Sequence, residues 1–133
     1  VMAPNFAKEG ISKYVNGKWN GECIPLLEEY IKIPNLSPYF DEEVLTNGHQ
    51  DKAMELLRKW VENQSIPGVT IDLIQEQGRT PLLFIEIPAS ESANLQENGT
   101  VLLYGHMDKQ PPFEGWRDDL GPYKPVIKDG KLY

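Results

Sequence analysis

The sequence is poor in the features that mark several common kinds of functional site. Cys23 is the only cysteine among 133 residues, so the chain cannot form an internal disulfide or a thiolate metal cluster. No apolar run approaches the length of a membrane span. The stretch 1–10 also lacks the basic and then apolar order of a signal peptide. We therefore expect a cytoplasmic protein with no membrane partner.

Basic residues are also scarce, and they are scattered. Thirteen lysines and arginines stand against twenty acidic residues, which gives a net charge of −7. Without a cluster of positive charge, nucleic acid is not an expected partner. The sequence contains neither the Gly-x-Ser-x-Gly turn of serine hydrolases nor a glycine-rich phosphate loop before a helix. These absences argue against serine hydrolases and nucleotide-binding enzymes.

Helical periodicity dominates the first half of the chain. We predict helices near 5–20, 22–32 and 50–63, with Pro25 placed in the first turn of the second one. The third helix has the clearest pattern, because its apolar residues recur on one face. These residues are Ala53, Leu56, Leu57, Trp60 and Val61.

After Pro67 the apolar residues alternate with a period of two, which is typical of strands. We predict a hairpin from strands near 69–76 and 81–87, and a strand at 100–104 that is buried on both faces. Asp129-Gly130, between two short apolar stretches, predicts a second hairpin with a type I′ turn. The expected fold is α/β, with helices first and then a mixed sheet that is incomplete at its C-terminus.

A histidine follows the predicted strand 100–104 in the stretch "LLYGHMDKQPP". Ligand sites in open α/β sheets lie just beyond the carboxyl ends of strands, and a neutral imidazole is the commonest metal ligand. Asp108 is two residues after His106, so in an extended backbone its carboxylate lies on the same side and can reach the ring. The pattern predicts a metal-ligating or otherwise functional His106 oriented by Asp108.

The spacing alone also permits a simpler interpretation. A single His-x-Asp pair is a weak motif, and such pairs are often surface residues or belong to a satisfied core histidine. In that interpretation the chain is a complete small α/β binding module without catalytic activity, and His106 is structural. The other histidine, His49, precedes a predicted helix in a polar stretch, where we expect a capping or solvated residue.

A longer ordered pattern resembles one family. From about Cys23 onward, the chain is similar to the zinc-dependent dipeptidases and deacylases, which include carnosinases, aminoacylases and succinyl-diaminopimelate desuccinylase. The family pattern is an apolar strand, then Gly-His-x-Asp-x-x-Pro, then a loop with a tryptophan, and then a hairpin similar to Lys-Asp-Gly-Lys-Leu-Tyr. In this sequence these features fall on Gly105, His106, Asp108, Pro111, Trp116 and the segment 128–133.

The resemblance implies a role for each matching residue. His106 would be a zinc ligand, and Asp108 would be the catalytic-site residue that orients the imidazole and raises its basicity. Trp116 and the region 122–133 would form scaffold around the site. Lys109 stands where many family members have an apolar residue, a departure that leaves the ligand positions unchanged.

The resemblance also implies what the intact enzyme would be. Residues 1–133 would form the N-terminal segment of the catalytic domain, part of a zinc-peptidase-like αβα sandwich. Two zinc ions would support hydrolysis of the amide bond in a dipeptide or an N-acyl amino acid. The general base, the remaining ligands and the lid domain used for dimer contacts have no counterpart in this sequence. We therefore expect the 133-residue chain alone to be inactive and to hold no tightly bound zinc.

Overall fold

Helices and two small antiparallel sheets make this a mixed α/β protein. The computed structural model describes residues 8–90 and 99–133. The chain divides into two compact units. One contains Val1–Lys32 together with Phe113–Tyr133, and the other contains Ile33–Pro112.

The N-terminal helical region changes from α-helix to π-helix and back to α-helix at its centre. Helix α1 (Lys8–Lys18) leads through a π-helical turn (Trp19–Cys23) into α2 (Ile24–Ile31). Pro25 lies in the first turn of α2, as predicted, and the wider π-helical turn ends two residues before this proline, which lacks a backbone N–H. The two predicted helices are therefore one continuous helical segment. The predicted positions 5–7 lie outside the described residues.

Helix α3 (His49–Asn63) confirms the clearest helical prediction. It lies in the second unit, where it packs against the hairpin strand β2 (Leu82–Glu86). Gln50, Ala53 and Met54 are its buried residues. None of the helices in the described ranges is long and apolar enough to cross a membrane.

The first predicted hairpin is present in the second unit. Strand β1 (Thr70–Ile74) pairs antiparallel with β2, and Ile71 faces Ile85 while Leu73 faces Leu83. Gly68 enters the hairpin with a φ of 73°, and a Cβ on this residue would lie 2.9 Å from Cγ of Pro88. Glycine is needed here for both its conformation and its lack of a side chain.

The second predicted hairpin is present in the first unit. Strands β3 (Ile127–Lys128) and β4 (Lys131–Leu132) pair antiparallel, and Val126 and Tyr133 exchange both backbone hydrogen bonds beyond them. Asp129 has a φ of 52° and Gly130 a φ of 72°. Positive values at both central positions are those of a type I′ turn, so the turn prediction is confirmed.

The prediction of a buried strand at 100–104 is wrong. Residues 99–108 have no strand structure, and Val101, Leu102, Leu103 and Tyr104 are 80–88% exposed. A strand buried on both faces needs hydrogen-bonded neighbours, and no strand within the described ranges pairs with this run. The described ranges likewise contain no mixed sheet, and each sheet in them is a two-stranded antiparallel hairpin.

Four consecutive exposed apolar side chains should favour self-association. We predict that the apparent mass of the chain rises with concentration, and that Leu103→Lys reduces this rise. Tyr39→Lys is the matched control, because Tyr39 is 87% exposed but lies outside the run. Sedimentation velocity over a concentration series measures the effect. Equal association of Leu103→Lys and the unsubstituted chain would contradict it.

Candidate functional site

His106 and Asp108 are in direct contact, as their spacing predicted. Nδ1 of His106 lies 3.0 Å from Oδ1 of Asp108 and 3.1 Å from the backbone oxygen of the same residue. The His106 side chain is 67% exposed, whereas that of Asp108 is 29% exposed. Asp108 therefore presents two hydrogen-bond acceptors to Nδ1 of His106, and the imidazole ring itself is largely exposed to solvent.

This contact selects a tautomer of the neutral ring. Both neighbours of Nδ1 are oxygen atoms, one of the Asp108 carboxylate and one of its backbone carbonyl, and a carboxylate or carbonyl oxygen can only accept a hydrogen bond. Nδ1 must therefore carry the hydrogen, and Nε2 keeps its lone pair. Nε2 has no hydrogen bond to any residue of the described ranges. Nε2 can therefore act as a metal ligand or as a base, while the Asp108 carboxylate holds the hydrogen on Nδ1.

A second chain segment holds the loop that carries this pair. Leu36 and Lys109 form a parallel β-bridge, in which the Lys109 N–H donates to the Asn35 carbonyl at 2.8 Å and the Ser37 N–H donates to the Lys109 carbonyl at 2.9 Å. The Asn35 side chain donates from Nδ2 to the Met107 carbonyl at 3.1 Å. The backbone on both sides of Asp108 is thus fixed to residues 35–37.

This second segment contains two of the five buried residues of the described chain. Asn35 is fully buried and Ile33 is 3% exposed. Gln50 of α3, which is 3% exposed, donates from Nε2 to the Leu36 carbonyl at 2.7 Å. Buried polar groups are costly unless they are hydrogen-bonded, and these bonds supply the partners. The site loop is therefore attached, through residues 33–37, to the buried face of α3.

Lys109 completes the network with its side chain. Its Nζ donates to the Ile33 carbonyl at 2.7 Å and also to Oδ1 of Asn35. Burial disfavours the charged ammonium and lowers the Lys109 pKa from its ordinary 10.5 to about 8. The sequence presented Lys109 only as a departure from a family pattern. In the structure, it satisfies the buried oxygen of Asn35.

A complete zinc site needs three or four protein ligands. In the described ranges, no three histidine, cysteine or acidic side chains come close enough to one another to hold a metal ion together. His106 with Asp108 has the chemistry of one ligand and its orienting carboxylate, and so fits part of such a site. His49 is the first residue of α3, and its backbone N–H donates to the Asn47 side chain, while Gly48 occupies the N-cap position.

The remaining site predictions have different outcomes. The contact between His106 and Asp108 is confirmed, but their roles stay predictions. Trp116 belongs to the first unit, where its Nε1 donates to the Phe113 carbonyl at 2.8 Å, and its role as scaffold also stays a prediction.

Sequence reasoning missed Asn35 and Gln50. The one signal for Asn35 was a lone amide beside the apolar residues of "IKIPNL".

No protein-family model matches the chain, and a search of curated proteins likewise gives no match.

The lowered pKa of Lys109 predicts a stability that depends on pH. In the unfolded chain the ammonium regains its ordinary pKa, so between about pH 8 and pH 10.5 the unfolded state binds more protons than the folded state. The free energy of unfolding should therefore rise with pH across this window. Urea unfolding at several pH values measures it.

Two lysine variants separate this effect from other titrations. Lys109→Met should remove the Lys109 contribution to the slope, whereas Lys52→Met, at an exposed position of α3, should retain it. The same pH slope in Lys109→Met and in the unsubstituted chain would show that Lys109 is not its source.

Proposed function

We propose that this chain is the N-terminal segment of the catalytic domain of a cocatalytic zinc metallopeptidase with an αβα sandwich fold. The substrate class is a dipeptide or an N-acyl amino acid, and the reaction is hydrolysis of its amide bond. His106 is a zinc ligand and Asp108 orients it. The chain contributes one part of the site, and it is inactive by itself.

One observation carries the proposal, namely the contact between His106 Nδ1 and the Asp108 carboxylate. Metal-bound histidines commonly donate their second ring N–H to a carboxylate or a carbonyl, which fixes the tautomer and raises the basicity of the ligating nitrogen. Asp108 presents both acceptors to Nδ1. The ordered resemblance from Gly105 to the 128–133 hairpin supports the same proposal.

The roles of the chain's own residues follow from this geometry. His106 would hold a zinc ion through the lone pair of Nε2, and Asp108 would keep the proton on Nδ1 and compensate the positive charge on the ligating ring. Zinc, when bound, lowers the pKa of a coordinated water and polarises the amide carbonyl. The proposed general base is a glutamate outside these 133 residues.

The alternative is a non-catalytic binding module in which His106 is structural. A structural histidine is usually buried and hydrogen-bonded at both nitrogens. His106 is 67% exposed, and its Nε2 has no hydrogen bond within the described ranges. The exposed ring therefore argues against a buried structural histidine, and the metal-ligand proposal rests on the Asp108 contact and the ordered resemblance.

The proposal predicts the effect of two substitutions in the intact enzyme. His106→Ala should abolish binding at one metal position, because it removes a ligand. Asp108→Asn should lower zinc affinity or activity by roughly 10- to 100-fold, the usual loss when a carboxylate behind a ligating histidine is removed. Zinc content, zinc titration calorimetry and hydrolysis of a dipeptide series measure these effects.

His49→Ala is the matched control, because it removes the other histidine without touching the proposed site, and it should leave zinc content and turnover unchanged. Unchanged zinc content and turnover in both site variants would remove His106 and Asp108 from the site. For the 133-residue chain, calorimetry should show only weak zinc binding. Stoichiometric sub-micromolar binding, or turnover abolished by His106→Ala, would contradict the proposal of an incomplete site.

A further inference from the structure

We propose that Asn35 and Lys109 are positioning residues that set the tautomer of His106 and the direction in which its Nε2 points. They act through Asp108 and do not touch the imidazole. The consequence for zinc rests on the proposed function, whereas the consequence for the tautomer does not.

The peptide bond between Asp108 and Lys109 carries the main step of this inference. Its N–H donates to the Asn35 carbonyl at 2.8 Å. In a trans peptide the N–H and the C=O point in opposite directions, so the Asp108 carbonyl points away from Asn35. That carbonyl is one of the two acceptors for His106 Nδ1, at 3.1 Å. The bond to Asn35 therefore fixes an acceptor of the imidazole.

The peptide bond before Asp108 is fixed from the same residue. The Met107 carbonyl accepts from Asn35 Nδ2 at 3.1 Å. With the peptide groups on both sides anchored, the φ and ψ angles of Asp108 are restrained, and so is the direction of its side chain. The carboxylate is then held where Oδ1 lies 3.0 Å from Nδ1. Both acceptors of the ring depend on Asn35.

Lys109 explains why the Asn35 amide can keep this orientation. Asn35 is fully buried, and its Oδ1 accepts from Lys109 Nζ. An apolar side chain at position 109 would remove this donor, and a buried carbonyl oxygen without a donor is strongly disfavoured. The amide would then gain by rotating or by leaving its site, and its contact with the Met107 carbonyl would be lost. Lys109 thus stabilises the orientation of the Asn35 amide, and this amide in turn holds the site loop in place.

The proposal is tested on the metal-free chain by long-range ¹H–¹⁵N spectra of its histidine rings. The chain has two histidines, so His49 serves as an internal reference. The spectra are recorded at a pH at which the ¹⁵N chemical shifts themselves show both rings in the neutral form. We expect the Nδ1–H form of His106 to dominate. In Asn35→Leu and in Lys109→Met, the Nε2–H form preferred by free histidine should replace it, while the His49 signals stay unchanged.

Two further variants keep the test decisive if Asn35→Leu fails to fold. Asn35→Asp keeps an oxygen for Lys109 but removes the donor to Met107, so it should also shift the tautomer. Asn47→Ala is the matched control, because it removes another asparagine of the same unit that bonds to Asp41 and to the His49 N–H. It should leave His106 in the Nδ1–H form. A folded Lys109→Met or Asn35→Asp chain that retains this form would overturn the proposal.

Zinc titration of the intact enzyme separates this proposal from the proposed function. If both hold, the folded variants should bind zinc roughly 10-fold or more weakly, as is usual when the support of a ligand is lost. If the His106 tautomer depends on Asn35 but the protein binds no zinc, the positioning role is supported and only the zinc proposal is overturned. Zinc binding that is unaffected while the tautomer shifts would overturn the positioning role at the metal.

Discussion

The candidate site depends on the side-chain amide of Asn35. This amide is fully buried, and each of its two polar atoms bonds to the site loop, Nδ2 to the Met107 carbonyl and Oδ1 to Lys109 Nζ. A buried amide whose nitrogen and oxygen are both hydrogen-bonded restrains its partners strongly, because any movement leaves a polar group without a hydrogen bond. Asn35 therefore restrains two segments that lie more than 70 positions apart in the sequence.

The site loop (residues 107–109) and the apolar run before it (residues 101–104) differ in how their backbones are held. Residues 101–104 are apolar, lie outside any sheet and are 80–88% exposed. Residues 107–109, only a few positions later, are held by the bridge between Leu36 and Lys109. The imidazole thus gains its orientation from the buried face of α3 by way of residues 33–37, and a neighbouring strand is not required.

Local patterns predicted much of this structure, since helices and tight hairpins are specified by nearby residues. The apolar spacing of α3 predicted its position to within one residue, and Asp129-Gly130 predicted the type I′ turn. The two-residue spacing of His106 and Asp108 was likewise sufficient to predict their contact. The prediction of a strand at 100–104 was wrong because an apolar run indicates a tendency to be buried, but it does not show which neighbouring strand would pair with the run. The bond between Asn35 and Lys109 left no periodic signal, because it joins single polar residues distant in sequence.

Native-state amide hydrogen exchange tests the central claim most directly, because it reports the anchoring of the loop residue by residue. The N–H groups of Lys109 and Ser37 form the bridge between the two segments. They should exchange as slowly as the amides in the middle of α3, whereas the amides of residues 101–104 should exchange at the rate of an unstructured peptide. If Lys109 and Ser37 exchange as fast as residues 101–104, the site loop is not held by Asn35, and the account is contradicted.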